Sequence, residues 1–170
     1  MAIIDEDEAL EFLGMKTSAD IDELRRFIAT TEAAWYAEGL PGESQVRTDE
    51  VRGDRPAIAL ERLPVIAVTA VSEGHDASPL DPARYHVRTA AGVITSRSAD
   101  FADPVIITYT WGFATVPDDI KHALMLLLKH LWETQRASNR RNGEPDVGSA
   151  YTWPNRVLQL ARPYMPVAFG

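Results

Sequence analysis

The sequence contains no cysteine, which excludes a disulfide framework, a thiolate nucleophile and a cysteine-ligated metal site. It also lacks a long apolar run: residues 123–128 fall far short of the roughly 18 residues that a membrane-spanning helix needs. The N-terminal segment MAIIDEDEALEF is acidic where a secretory signal would be basic. We therefore expect an intracellular site of synthesis and no association with membranes.

Motifs for chemistry are missing as well. There is no GxSxG elbow, no P-loop and no GxGxxG after a strand. None of the four histidines has a partner at the spacing of metal ligands. The acidic run at residues 5–8 and the pair Asp118 and Asp119 fit helix starts, where negative charge complements the helix dipole. We expect no catalytic, metal or cofactor site, and a small enzyme or ligand-binding domain is the remote alternative.

Positive charge is scarce. The chain carries 17 basic and 25 acidic residues, for a net charge of −8, and residues 1–40 hold most of the acidic excess. The only local basic cluster is formed by Arg136, Arg140 and Arg141. Proteins that bind nucleic acid tightly usually present a dense basic patch. The charge therefore argues against tight DNA binding, although it permits DNA to pass close by.

Hydrophobic periodicity predicts helices at both ends of the chain. In the second helix, Ser18 is a candidate N-cap and an apolar stripe follows at 3-4-3-4 spacing, ending at Trp35. Pro117 is expected at the first position of the third helix. Residues 137–149 are polar and contain glycine and proline, so we predict a loop there. The predicted helices cover residues 5–15, 18–38, 117–136 and 154–160.

The middle of the chain has a different texture, with short β-branched runs separated by glycine, proline and aspartate. Such spacing is typical of an antiparallel sheet or a small barrel. The predicted strands are Val46–Val51, Ala57–Leu60, Val65–Ser72, Tyr85–Thr89, Val93–Thr95 and Val105–Trp111. The predicted fold is α+β: residues 1–42 and 113–170 form a helical domain of about four helices, and residues 43–112 form a β-rich insertion.

The third helix has an unusually wide apolar face, which spans roughly 160° of the helical wheel. Such a face indicates either an interface with another subunit or burial between other elements of the same chain, and the pattern alone leaves both open. The aromatic residues near this helix lack interleaved lysine and arginine, so a core or interface role is favoured over base stacking. The candidate interface residues are Trp35, Leu124, Leu127, Leu131 and Trp132.

Four segments resemble the head–tail connector (adaptor) proteins of long-tailed bacteriophages, in the version with a β-rich insertion. They read ALEFLGMKTSADIDELRRFIATTEAAWYAEGL, IALERLPVIAVTAV, PLDPARYHV with AGVI, and VIITYTWGFATVPDDIKHALMLLLKHLWETQ. The last is the strongest, with a strand, an aromatic-glycine turn, Val-Pro and a leucine-rich helix ending near a tryptophan. The resemblance covers residues 8–136. The family often ends this helix with aromatic-Glu-Asn-Arg, where this chain has WETQR.

The resemblance implies a structural virion protein, made in the host cytoplasm and located in the neck between head and tail. Such adaptors form a ring, usually of twelve copies, under the portal. They extend the DNA channel, let double-stranded DNA pass without specific binding, and dock the next neck or tail protein. Another neck component, a stopper or a tail-completion protein, is the alternative.

The C-terminal segment of these adaptors often reaches the portal, so the resemblance implies a portal-docking role for the end of this chain. The segment RPYMP predicts an extended, mostly non-helical tail because its two prolines oppose helix formation. The candidate portal-docking residues are Arg162, Pro163, Tyr164 and Phe169.

Overall fold

The computed structural model describes residues 3–15, 21–141 and 153–165, with the backbone alone for residues 136–141. These residues separate into two compact units. One runs up to Leu40 and resumes over Val116–Met165, and the other comprises Pro41–Thr115. The inserted unit thus begins at Pro41 and ends at Thr115, where the sequence pattern placed its bounds at residues 43 and 112.

Four α-helices form the first unit within the described residues. Asp5 caps α1, because its Oδ1 accepts hydrogen bonds from the backbone N–H groups of Asp7 (2.9 Å) and Glu8 (3.2 Å). The predicted cap Ser18 lies outside the described residues. The helices are α1 (Glu6–Phe12), α2 (Ile21–Ala37), α3 (Asp118–Arg141) and α4 (Asn155–Ala161).

Helix α3 differs from its prediction at both ends. The backbone N–H groups of Ile120 and Lys121 both donate to the carbonyl of Pro117 at 3.1 Å, so Pro117 precedes the helix and caps it. The helical backbone continues to Arg141, which is five residues beyond the predicted end. The predicted loop at residues 137–149 is therefore helical over 137–141, and its remainder lies outside the described residues.

The second unit contains two antiparallel sheets. The four-stranded sheet has the order β1-β7-β3-β4, and the three-stranded sheet has the order β2-β6-β5. The predicted α+β class with an inserted antiparallel sheet is confirmed, and the barrel alternative is wrong because the two sheets do not close on each other. The strands are β1 (Gln45–Val51), β2 (Ala57–Ala59), β3 (Val65–Glu73), β4 (Ser78–Pro79), β5 (Tyr85–Arg88), β6 (Val93–Ser96) and β7 (Val105–Trp111).

Strand β3 shows why its sequence, VIAVTAVSE, alternates imperfectly. Its pairing with β7 is shifted between Val65 and Ala67 and again between Val68 and Ala70. Each extra residue changes the side-chain period locally from two to three. As a result Val65, Val68 and Val71 pair with Trp111, Tyr109 and Ile107 on the buried side of the sheet.

The two ends of the inserted unit are joined to each other. Phe113 donates its N–H to the carbonyl of Gly42 (2.9 Å), and Ser44 donates to the carbonyl of Phe113 (3.0 Å). The backbone passes so closely here that a Cβ at Gly112 would lie 2.7 Å from the carbonyl oxygen of Glu43. Gly112 also has φ +98°, so this junction requires glycine for both reasons.

Candidate assembly surfaces

The second unit buries one cluster of ionisable side chains. The carboxylate of Asp49, 8% exposed, accepts hydrogen bonds from Arg47 Nε and from Tyr109 Oη, the latter at 2.7 Å. Arg47 also donates from Nη2 to Glu61 Oε2 at 2.8 Å. Burial, and then the hydrogen bond to Asp49, raise the pKa of Tyr109 well above its ordinary value near 10, so the phenol stays a donor.

The charges of this cluster balance, with two arginines against two carboxylates. Arg62 completes it, because its backbone hydrogen-bonds to Tyr109 and its guanidinium carbon lies 5.6 Å from the ring centroid of Trp111. Asp49 thus pairs with Arg47 and Tyr109, and Arg47 also pairs with Glu61, as expected of a network that fixes a core. The buried Nε of Arg62 has no hydrogen-bond partner among the described residues. Among the described residues, no group of three or more histidines, aspartates or glutamates is arranged to hold a metal ion.

The predicted apolar face of α3 is buried. Trp132 packs edge-on against Phe27 of α2, with ring centroids 5.1 Å apart. Trp35 of α2 stacks on Trp153, which precedes α4, at 5.7 Å. The exposed fractions of the five candidate interface residues are 0% for Leu124, 1% for Leu127, 6% for Leu131, 8% for Trp132 and 0% for Trp35.

In this chain the candidate interface residues therefore have almost no surface left for another subunit. Both α2 and α4 pack on α3, so its apolar face has to be wide enough for two neighbours. The structure favours burial within the chain, one of the two alternatives that the sequence left open. Exposed side chains elsewhere in the chain offer more surface to another subunit.

The C-terminal segment is not extended where the structure describes it. A 3-10 turn at Arg162–Tyr164 directly follows α4, and the chain becomes extended only at Met165. The prediction was wrong here because the fixed φ of proline suits the first positions of a helical turn. Phe169 lies outside the described residues.

Tyr164 fixes this turn to the start of α3. Its hydroxyl donates to Asp119 Oδ2 at 2.8 Å, and burial followed by this hydrogen bond raises the pKa of the phenol. Arg162 and Pro163, by contrast, are exposed. Of the described portal-docking candidates, these two therefore offer the most surface to a partner.

Large apolar side chains are exposed at four described positions. Val46 of β1 is 71% exposed and Ile66 of β3 is 43% exposed. In the helical unit, Leu158 of α4 is 39% exposed and Met165 is 38% exposed. Each unit thus carries one such pair.

Val46 and Ile66 border a sheet surface that is nearly free of charge. We call this surface, on the side of the four-stranded sheet away from Tyr109, the outer sheet face. Thr48 and Thr108 lie at its centre, with their hydroxyl oxygens 3.0 Å apart. All of its members are exposed or half-exposed, and only Glu50 is charged. They are Val46, Thr48, Glu50, Ala67, Ala70, Ser72, Ile106, Thr108 and Thr110.

None of the described helices is sufficiently long and apolar to span a membrane. Acidic side chains dominate the exposed surface of α1, where Asp7, Glu8 and Glu11 point to solvent. Arg25 of α2 binds Glu6 of α1 at 2.7 Å and Asp22 at 3.1 Å. One of the few basic residues of this region is thus already paired, which leaves the surface negative.

Among the solved structures that resemble this chain are three of gene transfer agent particles. The neck of an empty gene transfer agent (GTA) particle, computed with C6 symmetry, has a TM-score of 0.69 and 19% identity over 97% of this chain and 90% of the other. The virion of a native GTA particle has a TM-score of 0.64 and 21% identity, over 97% of this chain and 90% of the other. The neck of a native GTA particle, computed with C12 symmetry, has a TM-score of 0.58 and 22% identity, over 94% of this chain and 88% of the other. At these identities, the likeness establishes the shared fold.

A comparison with curated proteins gives no match. The model of one protein family, described as head completion protein, matches residues 2–161 of the 170. This match includes both units and reaches α4. The chain therefore belongs to the head completion protein family, as a structural, non-enzymatic virion protein, and the predicted kinship with phage connector proteins is confirmed.

Proposed function

We propose that this protein is the head-to-tail adaptor, which forms a ring under the portal, extends the DNA channel and docks the next neck or tail protein. The observation that carries the proposal is the match of residues 2–161 to the head completion protein family, together with a fold similar to that of a particle neck. Two of the similar structures are necks computed with sixfold and twelvefold symmetry. A ring of twelve copies accommodates both symmetries, and we propose that number.

The charge of the chain suits a channel that DNA crosses. A net charge of −8 and the acidic surface of α1 oppose attachment to the phosphate backbone. A ring lined by such a surface lets double-stranded DNA move without holding it. We therefore propose DNA as a passing neighbour and not as a bound ligand.

The turn after α4 is the proposed contact with the portal. Arg162 and Pro163 are exposed there, whereas Tyr164 anchors the turn to Asp119. An anchored turn presents its exposed residues with little loss of conformational freedom on binding. Phe169 lies outside the described residues, and we keep it as a further candidate for contact with the portal.

Order of addition tests the proposal. Portal-bearing heads that lack every other neck protein are mixed with the purified chain at about micromolar concentration and imaged by electron microscopy. An adaptor is expected to bind these heads as a ring. Absence of binding would overturn the proposal, and binding that first needs another neck protein would identify a stopper or a tail-completion protein instead.

The portal contact has its own control. Arg162→Glu is expected to weaken binding to portal-bearing heads about tenfold or more, since it replaces an exposed positive charge at the proposed contact. Arg88→Glu makes the same change at an exposed position in β5 and is expected to bind normally. An equal loss of binding in the two variants would contradict a special role of the turn in portal contact.

A further inference from the structure

A ring requires two different surfaces on every subunit, because each copy contacts the next one head to tail. The surfaces must fit each other, and neither needs to fit itself. Exposed apolar side chains are the usual sign of such surfaces. In the described residues the large ones form two pairs: Val46 with Ile66 in the second unit, and Leu158 with Met165 in the first.

The outer sheet face is built to be covered. Val46 and Ala67 flank Thr110 across three neighbouring strands, and Thr48 and Ala70 flank Thr108 in the next row. These small or β-branched side chains make a flat surface without long charged residues. A sheet face that stays in water normally carries charged side chains, which here are limited to Glu50 at one corner.

Helix α4 offers a surface of the complementary kind. Its inner residues Val157 and Ala161 are fully buried, whereas Arg156, Leu158 and Gln159 are exposed. Arg156 donates from Nη1 to Gln159 Oε1 at 3.3 Å, which extends its charge along the exposed side of the helix. Residues 153–165 contain two arginines and no acidic residue, so this surface is positive.

We propose that the outer sheet face of one subunit binds the exposed side of α4, around Leu158, on the next subunit of the ring. Val46 and Ile66, at the border of the sheet face, contact Leu158, and Glu50 faces Arg156. The charge of the two surfaces decides the occupant: the sheet face carries one negative charge and the helix carries positive charge, so each fits the other better than a copy of itself. This inference rests on the adaptor proposal above.

Disulfide cross-linking tests the contact cleanly, because the chain has no cysteine of its own. The double variant Val46→Cys/Leu158→Cys is assembled on portal-bearing heads, oxidised and separated under denaturing conditions. We expect a ladder of covalent oligomers that ends at the ring, and a single heterodimer when the two single variants are mixed. The matched control replaces Val46→Cys by His86→Cys, another exposed strand position, and is expected to give no ladder.

Each alternative has its own signature. A dimer from Val46→Cys alone would show that the sheet face meets another sheet face, and a double variant that closes only within one chain would place the contact inside the subunit. Either result overturns the inference. Rings of the unmodified chain on the portal, together with no cross-link in the variants, overturn the inference but leave the adaptor proposal standing. If no ring forms at all, both fall.

A charge exchange provides a second test that needs no oxidation. Glu50→Arg and Arg156→Glu are each expected to weaken ring assembly about three- to tenfold, since an attraction at the rim becomes a repulsion. The double variant restores opposite charges and is expected to assemble within about twofold of the unmodified chain. Failure of the double variant to recover, with both single variants folded, would contradict the proposed pairing.

Discussion

Asp49 illustrates how a single buried charge organises this molecule. Its two oxygens are taken up by Arg47 on the same strand and by Tyr109 on the neighbouring strand β7. A buried carboxylate is tolerated only when such partners satisfy it. The three residues therefore fix the register between β1 and β7, where Arg47 and Tyr109 are directly opposed.

Tyr109→Phe is expected to lower the free energy of unfolding by about 1–3 kcal/mol, because one oxygen of the buried Asp49 loses its donor. Urea unfolding followed by circular dichroism measures the change. Thr48→Val is the control, since it removes an exposed hydroxyl contact with Thr108 in the same sheet and is expected to cost less than about 0.5 kcal/mol. Similar losses in the two variants would contradict a special role of the buried bond.

The raised pKa of Tyr109 adds a dependence on pH. Its folded-state pKa lies above the unfolded value near 10, so its contribution is fully present below pH 10 and is lost as pH rises from there toward the folded value. We expect the unmodified protein to lose stability between neutral pH and pH about 11 by more than Tyr109→Phe does. Parallel losses in both proteins would show that Tyr109 does not contribute to this dependence.

Glu32 performs a comparable role in the helical unit. Its Oε1 accepts hydrogen bonds from the backbone N–H groups of Ile3 (2.6 Å) and Ile4 (3.0 Å), whose side chains are buried. The carboxylate on α2 thereby holds the segment that precedes α1. Removing the carboxylate should release this segment.

Glu32→Ala is expected to speed amide exchange at Ile3 and Ile4 by about tenfold or more, because bonds from two N–H groups to a charged acceptor are lost. Hydrogen exchange read by NMR measures this. Glu32→Gln keeps an oxygen acceptor, and its exchange rates are expected to lie between those of the unmodified protein and those of Glu32→Ala. Glu38→Ala, at an exposed position after α2, should leave the exchange rates of Ile3 and Ile4 unchanged. Unchanged exchange in Glu32→Ala would show that burial alone holds the segment.

At the scale of elements, α3 is the centre of the helical unit. Every residue of its predicted apolar face is buried, and Leu126, which interrupts the polar face, is half-buried. The helix therefore acts as a shared core element between α2 and α4. The face is Ile120, Ala123, Leu124, Met125, Leu127, Leu128, Leu131 and Trp132.

Leu127→Ala is expected to lower the free energy of unfolding by about 2–5 kcal/mol, since it leaves a cavity in a closely packed site. Leu126→Ala is the same change on the same helix at a half-buried position, and its expected cost is below about 1.5 kcal/mol. Chemical denaturation of both variants measures the difference. Leu127→Asp is expected to unfold the chain, and a folded Leu127→Asp monomer that fails to assemble would instead return this residue to the interface.

The element pattern was largely predictable from the sequence. Strand β7 has the predicted bounds, and the other predicted strands match within one residue because β-branched residues and turn signals coincide there. Strand β4, Ser78–Pro79, was missed because two residues carry no periodicity. The end of α3 was missed because the residues after Arg136 keep good helix propensity without any apolar repeat.

The assembly surfaces were harder to predict. A period of 3.6 or 2 shows that a face is apolar, but it does not show which other element covers that face. The apolar face of α3 was therefore a candidate interface, although α2 and α4 cover it. Val46 was not a candidate, although it is the most exposed large apolar side chain described. Tertiary packing decided both cases.

For the whole molecule, charge is the property that bears on function. A net charge of −8 gives the chain long-range repulsion from DNA that does not depend on which residue is nearest. This repulsion weakens as salt is added, so any residual association should be seen at the lowest ionic strength.

We expect the protein to bind a duplex of about 20 base pairs more weakly than about 100 µM even at roughly 50 mM salt, by fluorescence anisotropy. Glu11→Lys/Glu38→Lys changes two exposed positions and halves the net charge to −4. This variant is expected to bind more tightly than the unmodified chain at low salt. Micromolar binding by the unmodified chain would contradict a passive channel wall.

The hydrogen bonds that join Phe113 to Gly42 and Ser44 affect how the chain tolerates insertions and deletions. The polypeptide enters and leaves the β-rich unit through adjacent backbone segments, so the residues between them form an insertion with a single junction. We expect insertions and deletions in the exposed loops of this unit to be tolerated as long as the junction keeps its form. Gly112 is the residue of this junction that tolerates substitution least, because any side chain would force the two adjacent backbone segments apart.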